Sequence, residues 1–331
     1  MGTALLLAAC AARPVNTPLP ESYTAETTYA KLAPRYPFIR IASRAVPPSV
    51  RAVTDVTYVR RRHGDLRHDL KLDLYLPAAA GTAPRPAIVF VHGGGWRAGV
   101  RANFAPMAIR MAERGYAAAT ISYRLAPEAP YPAAIHDAKA AVRWVRAHAA
   151  DYGIDPGRIA IAGGSAGGQI AALTGVTNGE SRFDPDGGKV SSDVQAIVNI
   201  DGLSDFTSEE ARKYEDDPAK QPSSAGAWFG GRYAEKAALW RDASPLYHVK
   251  AGTPPMLFIV SAQRRFSLGR EEMAGKLRVL GVPNRVVPVP DTPHSFWLFD
   301  PWLAPTVEAA DAFLKEVIPP RTDSPGSPPA A

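Results

Sequence analysis

Arg158-Ile159-Ala160-Ile161-Ala162-Gly163-Gly164-Ser165-Ala166-Gly167 decides how this chain is read. Arg158 to Ala162 has the look of a buried strand, and the run that begins Gln169-Ile170-Ala171 suits a helix. Between them lies Gly163-Gly164-Ser165-Ala166-Gly167. A serine on so tight a strand-to-helix turn is forced out of the sheet, and small neighbours keep other side chains from clashing there. Glycine also tolerates the strained backbone that such a turn demands. Ser165 is therefore the candidate nucleophile. A Gly-rich turn can instead cradle phosphate, but this one lacks both the Lys-Ser/Thr ending of a P-loop and the spacing of a dinucleotide fingerprint.

Outward from this turn, strand-like segments alternate with helical ones. Ala87 to Val91, Ala117 to Tyr123, Val194 to Ile200, Met256 to Val260 and Arg285 to Val289 are the other strands. Over Ala133 to Ala149, residues Ile135, Ala138, Val142, Val145 and Ala149 recur at three and four, making one apolar helix face. The alternation predicts an α/β fold with a mainly parallel sheet covered by helices. An antiparallel hairpin precedes it, Val53 to Val59 and Leu70 to Leu76 joined through Gly64-Asp65. Polar spacing with Trp228 and Phe229 marks a cap insertion at about 203–243 within a folded domain spanning 49–318. Residues 11–48 read as a tether and 319–331 as an unstructured tail.

His92-Gly93-Gly94-Gly95-Trp96 directly follows the apolar strand Ala87 to Val91. Backbone N–H groups that stabilise a developing oxyanion must come from residues with no side chain in the way. Gly93 and Gly94 are the expected donors, joined by the N–H of Ala166, and His92 reads as structural. The general base is expected on a loop after the last strand, where Asp291-Thr292-Pro293-His294-Ser295 supplies His294. His248, near the end of the insertion, reads as a solvated or packing residue.

From about Val53 to Val317 the chain resembles the acetyl-esterase and feruloyl-esterase-like branch of the alpha/beta hydrolases, close to the hormone-sensitive-lipase group. Ser122-Tyr123-Arg124-Leu125-Ala126-Pro127, Asp137 and Asp155-Pro156-Gly157-Arg158-Ile159 fit that pattern as structural elements. The resemblance implies the alpha/beta-hydrolase fold, a Ser-His-acid triad acting through an acyl-enzyme, and esters of carbohydrates or aryl alcohols with short acyl or methyl groups as substrates. One departure stands out. Relatives carry the triad acid in a Gly-x-x-Asp pattern after the strand Met256 to Val260, whereas this chain reads Ser261-Ala262-Gln263-Arg264-Arg265. An acid is needed to hold the imidazole tautomer and stabilise the imidazolium. Asp201 is the chosen candidate, at the end of the preceding strand; its other reading is a loop-stabilising carboxylate. Asp205, Glu271, Glu272 and Asp291 are the alternatives, with helix capping, macrodipole stabilisation and turn formation as their structural readings.

Composition sets the remaining bounds. The 331 residues are 46% hydrophobic and 21% charged, with a net charge of +6, as expected of a globular chain with a buried core. The basic run Arg60-Arg61-Arg62-His63 belongs to the hairpin, and no interleaving of basic and aromatic residues points to nucleic acid. Cys10 is the only cysteine, so neither an intrachain disulfide nor a cysteine metal site can form. Leu7-Ala8-Ala9-Cys10 resembles the lipobox of bacterial lipoproteins, which implies a signal peptide over 1–10, lipidation at Cys10 and an extracytoplasmic, membrane-anchored enzyme. The expected partner is a small-molecule or saccharide ester, with no metal or organic cofactor. An amide hydrolase and a non-catalytic ligand-binding relative are the competing functions.

Overall fold

Strand β-branching and helix amphipathicity produce a three-layer arrangement in the computed structural model, which describes residues 23–63, 66–79, 81 and 83–319. The strands are β1 (Arg40–Ile41), β2 (Val50–His63), β3 (Leu66–Pro77), β4 (Arg85–Val91), β5 (Ala117–Ile121), β6 (Ile154–Gly164), β7 (Ala196–Ile200), β8 (Met256–Val260), β9 (Asn284–Pro288) and β10 (Phe299–Asp300). The helices are α1 (Ala25–Leu32), α2 (Ala105–Ala112), α3 (Ala133–Ala147), α4 (Ala166–Val176), α5 (Glu209–Glu215), α6 (Ser224–Phe229), α7 (Tyr233–Asp242), α8 (Arg270–Val279) and α9 (Leu303–Val317).

The main sheet has the order β2-β3-β5-β4-β6-β7-β8-β9. β2 pairs antiparallel with β3 and β3 with β5, while every later pairing is parallel. The strands sort their side chains by the period of two. Ala87, Val89 and Val91 of β4 enter one core with Ile135 and Val142 of α3, whereas Ile88 and Phe90 enter the other with Val307 and Phe313 of α9. Both faces are therefore covered, as a parallel sheet requires. The expected hairpin is β2–β3, although its Gly64-Asp65 turn lies outside the described residues. Arg61 of the basic run turns inward to the buried Asp137 at 3.1 Å.

Parallel strands direct their carboxyl ends to one edge. The loops after β4, β6 and β7 carry the glycine run, Ser165 and Asp201 respectively, and His294 follows β9. The sheet thus gathers residues far apart in sequence into the crevice where open α/β sheets bind ligands. Above it, α5, α6 and α7 pack through an aromatic cluster. Trp228 stacks on Trp96 of the glycine loop at 4.9 Å, and Phe229 meets Trp240 at 4.7 Å.

The tether expected over 11–48 is corrected for its described part. Thr24 accepts a hydrogen bond from the Thr27 N–H and caps α1, and β1 pairs antiparallel with β10. Ala25, Ile39 and Ala42 are buried. Pro and Thr enrichment had suggested an extended linker; the apolar residues scattered among them bury against α9 and the loop before it instead. Residues 1–22, including the lipobox at Cys10, and the end of the tail from 320 lie outside the described residues. No helix among the described residues is long and apolar enough to cross a membrane. Docking of this segment predicts that Ile39→Ala, at a site 1% exposed, lowers unfolding free energy by about 2–4 kcal/mol in urea denaturation; a change below about 0.5 kcal/mol contradicts the packing.

Candidate active site

The turn after β6 is crowded on every side. Ser165 sits at φ 57° and ψ −126°, outside the regions favoured by L-residues. A Cβ on Gly163 or Gly167 would overlap the backbone carbonyl of Gly167 or Val91, and one on Gly164 would lie 2.5 Å from the Trp297 ring. The Ser165 N–H donates to the Ile200 carbonyl at 2.8 Å, tying the turn to β7. Buried neighbours thus over-determine the strained serine, which opens α4.

His294 Nε2 lies 2.8 Å from Ser165 Oγ, and its Nδ1 lies 3.0 Å from Asp201 Oδ2. With the proton on Nδ1, the ring donates to Asp201 and accepts from the serine hydroxyl. The second carboxylate oxygen of Asp201 accepts from the Ser261 N–H at 2.8 Å, and its side chain is fully buried. Asp201 stands at φ 50° in a turn that Asn199 closes from both sides: its Oδ1 accepts from the Gly202 N–H and its Nδ2 donates to the Gly202 carbonyl. The buried carboxylate is thus held by one N–H and one imidazole.

The other acids are elsewhere. Asp205 accepts from the N–H groups of Thr207 and Ser208, shaping the start of the insertion. Glu271 pairs with Arg270 at the surface, and Glu272 and Asp291 are exposed. None has an ion pair or hydrogen bond to His294 among the described residues, so the structure groups Asp201 alone with Ser165 and His294.

The glycine loop approaches the same serine. A Cβ on Gly93 would sit 3.0 Å from Ser165 Cβ, and Gly94, at φ 124°, lines the cavity with Ala166. His92 stays below the loop: its ring stacks on Tyr123 at 4.3 Å, and its Nδ1 donates to the Gly93 carbonyl at 2.8 Å. Gln169 links the layers, accepting from Trp96 Nε1 at 2.9 Å and donating to the Ala243 carbonyl at 2.8 Å. His248 binds the Asp242 carbonyl at 2.7 Å, as a packing residue would.

Several residues at the site were not singled out from the sequence. The Phe266 ring lies parallel to the His294 imidazole, 3.5 Å between centroids and 8° between planes. Tyr23 hydroxyl hydrogen-bonds Ser295 Oγ at 2.8 Å, and burial pushes its pKa up. Arg97, Arg265 and Glu215 line the cavity of about 360 Å³ over Ser165. Arg265 and Phe266 belong to the segment after β8 that lacks the expected acid, which is the signal in the sequence that could have found them; Tyr23 had none.

The family model described as BD-FAE matches residues 72–264. The chain belongs to the alpha/beta-hydrolase esterases. Within them it sits in the branch related to hormone-sensitive lipase. It is 34% identical to the probable carboxylic ester hydrolase LipM of Mycobacterium tuberculosis over 78% of this chain, and spans 59% of LipM's length. Esterase LipC of the same organism is 32% identical, over 83% of this chain and 70% of LipC. The butyrate-bound structure of esterase Est2 from Thermogutta terrifontis superposes with a TM-score of 0.64 at 29% identity, over 83% of this chain and 96% of that one.

Burial lowers the His92 pKa from 6.5 to about 4, because the enclosed ring loses the water that would solvate its charged form. The unfolded chain then binds more protons than the native one between these values, so His92 removes stability as pH falls from 6.5 to 4. Denaturation at stepped pH should show a loss on the order of 3 kcal/mol over that window from this group, and a smaller slope in His92→Gln. An unchanged slope in the variant contradicts the assignment.

Proposed function

We propose that the protein is a serine carboxylic-ester hydrolase that works through an acyl-enzyme, with Ser165, His294 and Asp201 as its triad. The continuous relay from Ser165 Oγ to His294 to Asp201, at 2.8 and 3.0 Å, carries this reading. His294 Nε2 takes the serine proton as Oγ forms a bond to the ester carbonyl carbon. The N–H groups of Gly93, Gly94 and Ala166 meet the resulting oxyanion. The imidazolium returns its proton to the departing alcohol as the ester C–O bond breaks. Water then attacks the acyl-enzyme by the same route and releases the acid. Asp201 keeps the Nδ1–H tautomer throughout and balances the transient positive charge.

Esterase relatives across most of the chain support the bond type, and a butyrate complex of Est2 is in keeping with a short acyl group. The substrates we infer are short acyl or methyl esters of carbohydrates or aryl alcohols. Lipidation at Cys10 would place the enzyme outside the cytoplasm, a reading that rests on Leu7-Ala8-Ala9-Cys10 alone.

Purified protein should hydrolyse 4-nitrophenyl acetate and butyrate, and Ser165→Ala should remove this activity. Asp201→Asn is expected to lower kcat by about 10³–10⁴-fold with little change in KM, in line with loss of the correct tautomer, while Glu271→Gln and Asp291→Asn stay within about threefold. Full activity in Asp201→Asn, or a collapse in one of the other two, would show that the acid lies elsewhere.

A further inference from the structure

Two guanidinium groups in the cavity take no part in the relay. Arg97 follows Trp96 in the glycine loop, and Arg265 occupies the segment after β8; both line the cavity with Ser165 and His294. In each, Nε is buried and without a hydrogen-bond partner among the described residues. Neighbouring arginines on the same loops are paired: Arg101 with Asp73 and Asp55, Arg264 with Glu210, Arg270 with Glu271. Arg97 and Arg265 have no such ion pair among the described residues. Two guanidinium groups that border one cavity without an ion pair leave their charge available to an anionic ligand there.

The surroundings say what that partner is. Arg265 is clamped by rings, its guanidinium carbon 4.3 Å from the Phe266 centroid and 5.0 Å from that of Tyr214. Stacking fixes the plane and leaves the N–H edge for an acceptor. Two acids share the cavity. Asp201 is already engaged by His294 and the Ser261 N–H. Glu215 makes no ion pair with Arg97 or Arg265 among the described residues, and burial raises its pKa against the pull of Arg265 and Lys220. Arg97 also borders a groove of about 760 Å³ beside the catalytic cavity, so a substituent reaching past Ser165 meets it. Fixed planar forks recognise a carboxylate better than any neutral group.

We propose that Arg97 and Arg265 form a carboxylate-binding subsite, and that the preferred esters carry a free carboxylate on the acyl or the alcohol side. The inference rests on the esterase reading for its placement beside the scissile bond. Arg97 and Arg265 are specificity residues here, with no role in proton transfer.

Two matched substrate pairs test it on the purified full chain. On the alcohol side, 4-acetoxybenzoate is compared with methyl 4-acetoxybenzoate by acetate release; on the acyl side, 4-nitrophenyl hydrogen adipate is compared with 4-nitrophenyl hexanoate. In at least one pair the anionic member should be favoured in kcat/KM by about tenfold or more. Arg97→Gln and Arg265→Gln should each reduce that ratio through a higher KM for the anion, and the double variant should abolish it. Arg97→Lys and Arg265→Lys, which keep the charge but lose the fork, should give intermediate ratios. Turnover of neutral esters with no anionic preference in either pair overturns the subsite and leaves the esterase reading standing. A preference that survives in the double variant overturns it as well. Calorimetric binding of 4-acetoxybenzoate to Ser165→Ala reads the subsite without turnover: binding that the Arg97→Gln and Arg265→Gln changes abolish supports it even if ester hydrolysis fails, and no discrimination from the methyl ester overturns it.

Discussion

The glycines around Ser165, at the junction of β6 and α4, have no room for a side chain. Gly163, Gly164 and Gly167 are closed in by the Gly167 and Val91 carbonyls and by the Trp297 ring, and the backbone at Ser165 is held in a strained conformation by the Ile200 carbonyl and by α4. Everything else in the site is arranged around that fixed point. The glycine loop after β4 must come close enough to touch the serine Cβ, which is why Gly93 has no room for a side chain. The histidine loop must drop from above, where Trp297 both fills the space over Gly164 and meets His294 edge-on at 5.3 Å. Strain at Ser165 is tolerable because the packed neighbours of the turn over-determine it.

In the proposed triad the acid stands one strand earlier than the family resemblance implies. Placing it at the end of β7 instead of β8 keeps it at the same sheet edge, because parallel strands in register deliver their ends side by side; Ile200 of β7 pairs with Ile259 of β8. The Ser261 N–H, at the position where β8 ends, now donates to Asp201. The loop after β8 carries Arg265 and Phe266. The Phe266 ring covers the imidazole of His294, and Arg265 lines the cavity. A chain of net charge +6 attracts anionic ligands at long range.

Fold class was legible because strand and helix periods alternate in the sequence, and strands β4 to β8 are largely buried, so their hydrophobic runs are nearly continuous. Ser165 and the glycine loop were legible for a different reason: their roles demand particular small residues at particular distances from a strand end. His294 could be found from its place after the last strand. Asp201 could only be chosen, because a carboxylate in a loop has several structural uses and nothing in composition separates them. What separates them is the Asn199 side chain closing the turn and aiming the carboxylate at His294, a three-dimensional fact. The segment 23–48 was misread since its burial depends on partners some 260 residues away in the chain, as when Arg40 pairs with Asp300. Contacts of that range leave no local pattern.

The central claim is that β7 supplies the acid of the relay. The most direct measurement is the rate at which an organophosphate such as paraoxon covalently labels Ser165, followed by mass spectrometry in the native protein and in Asp201→Asn. This reads activation of the nucleophile without depending on any guessed ester. The account predicts labelling at Ser165 alone, slowed by at least about a hundredfold in the variant. Equal labelling rates in the two proteins would contradict it.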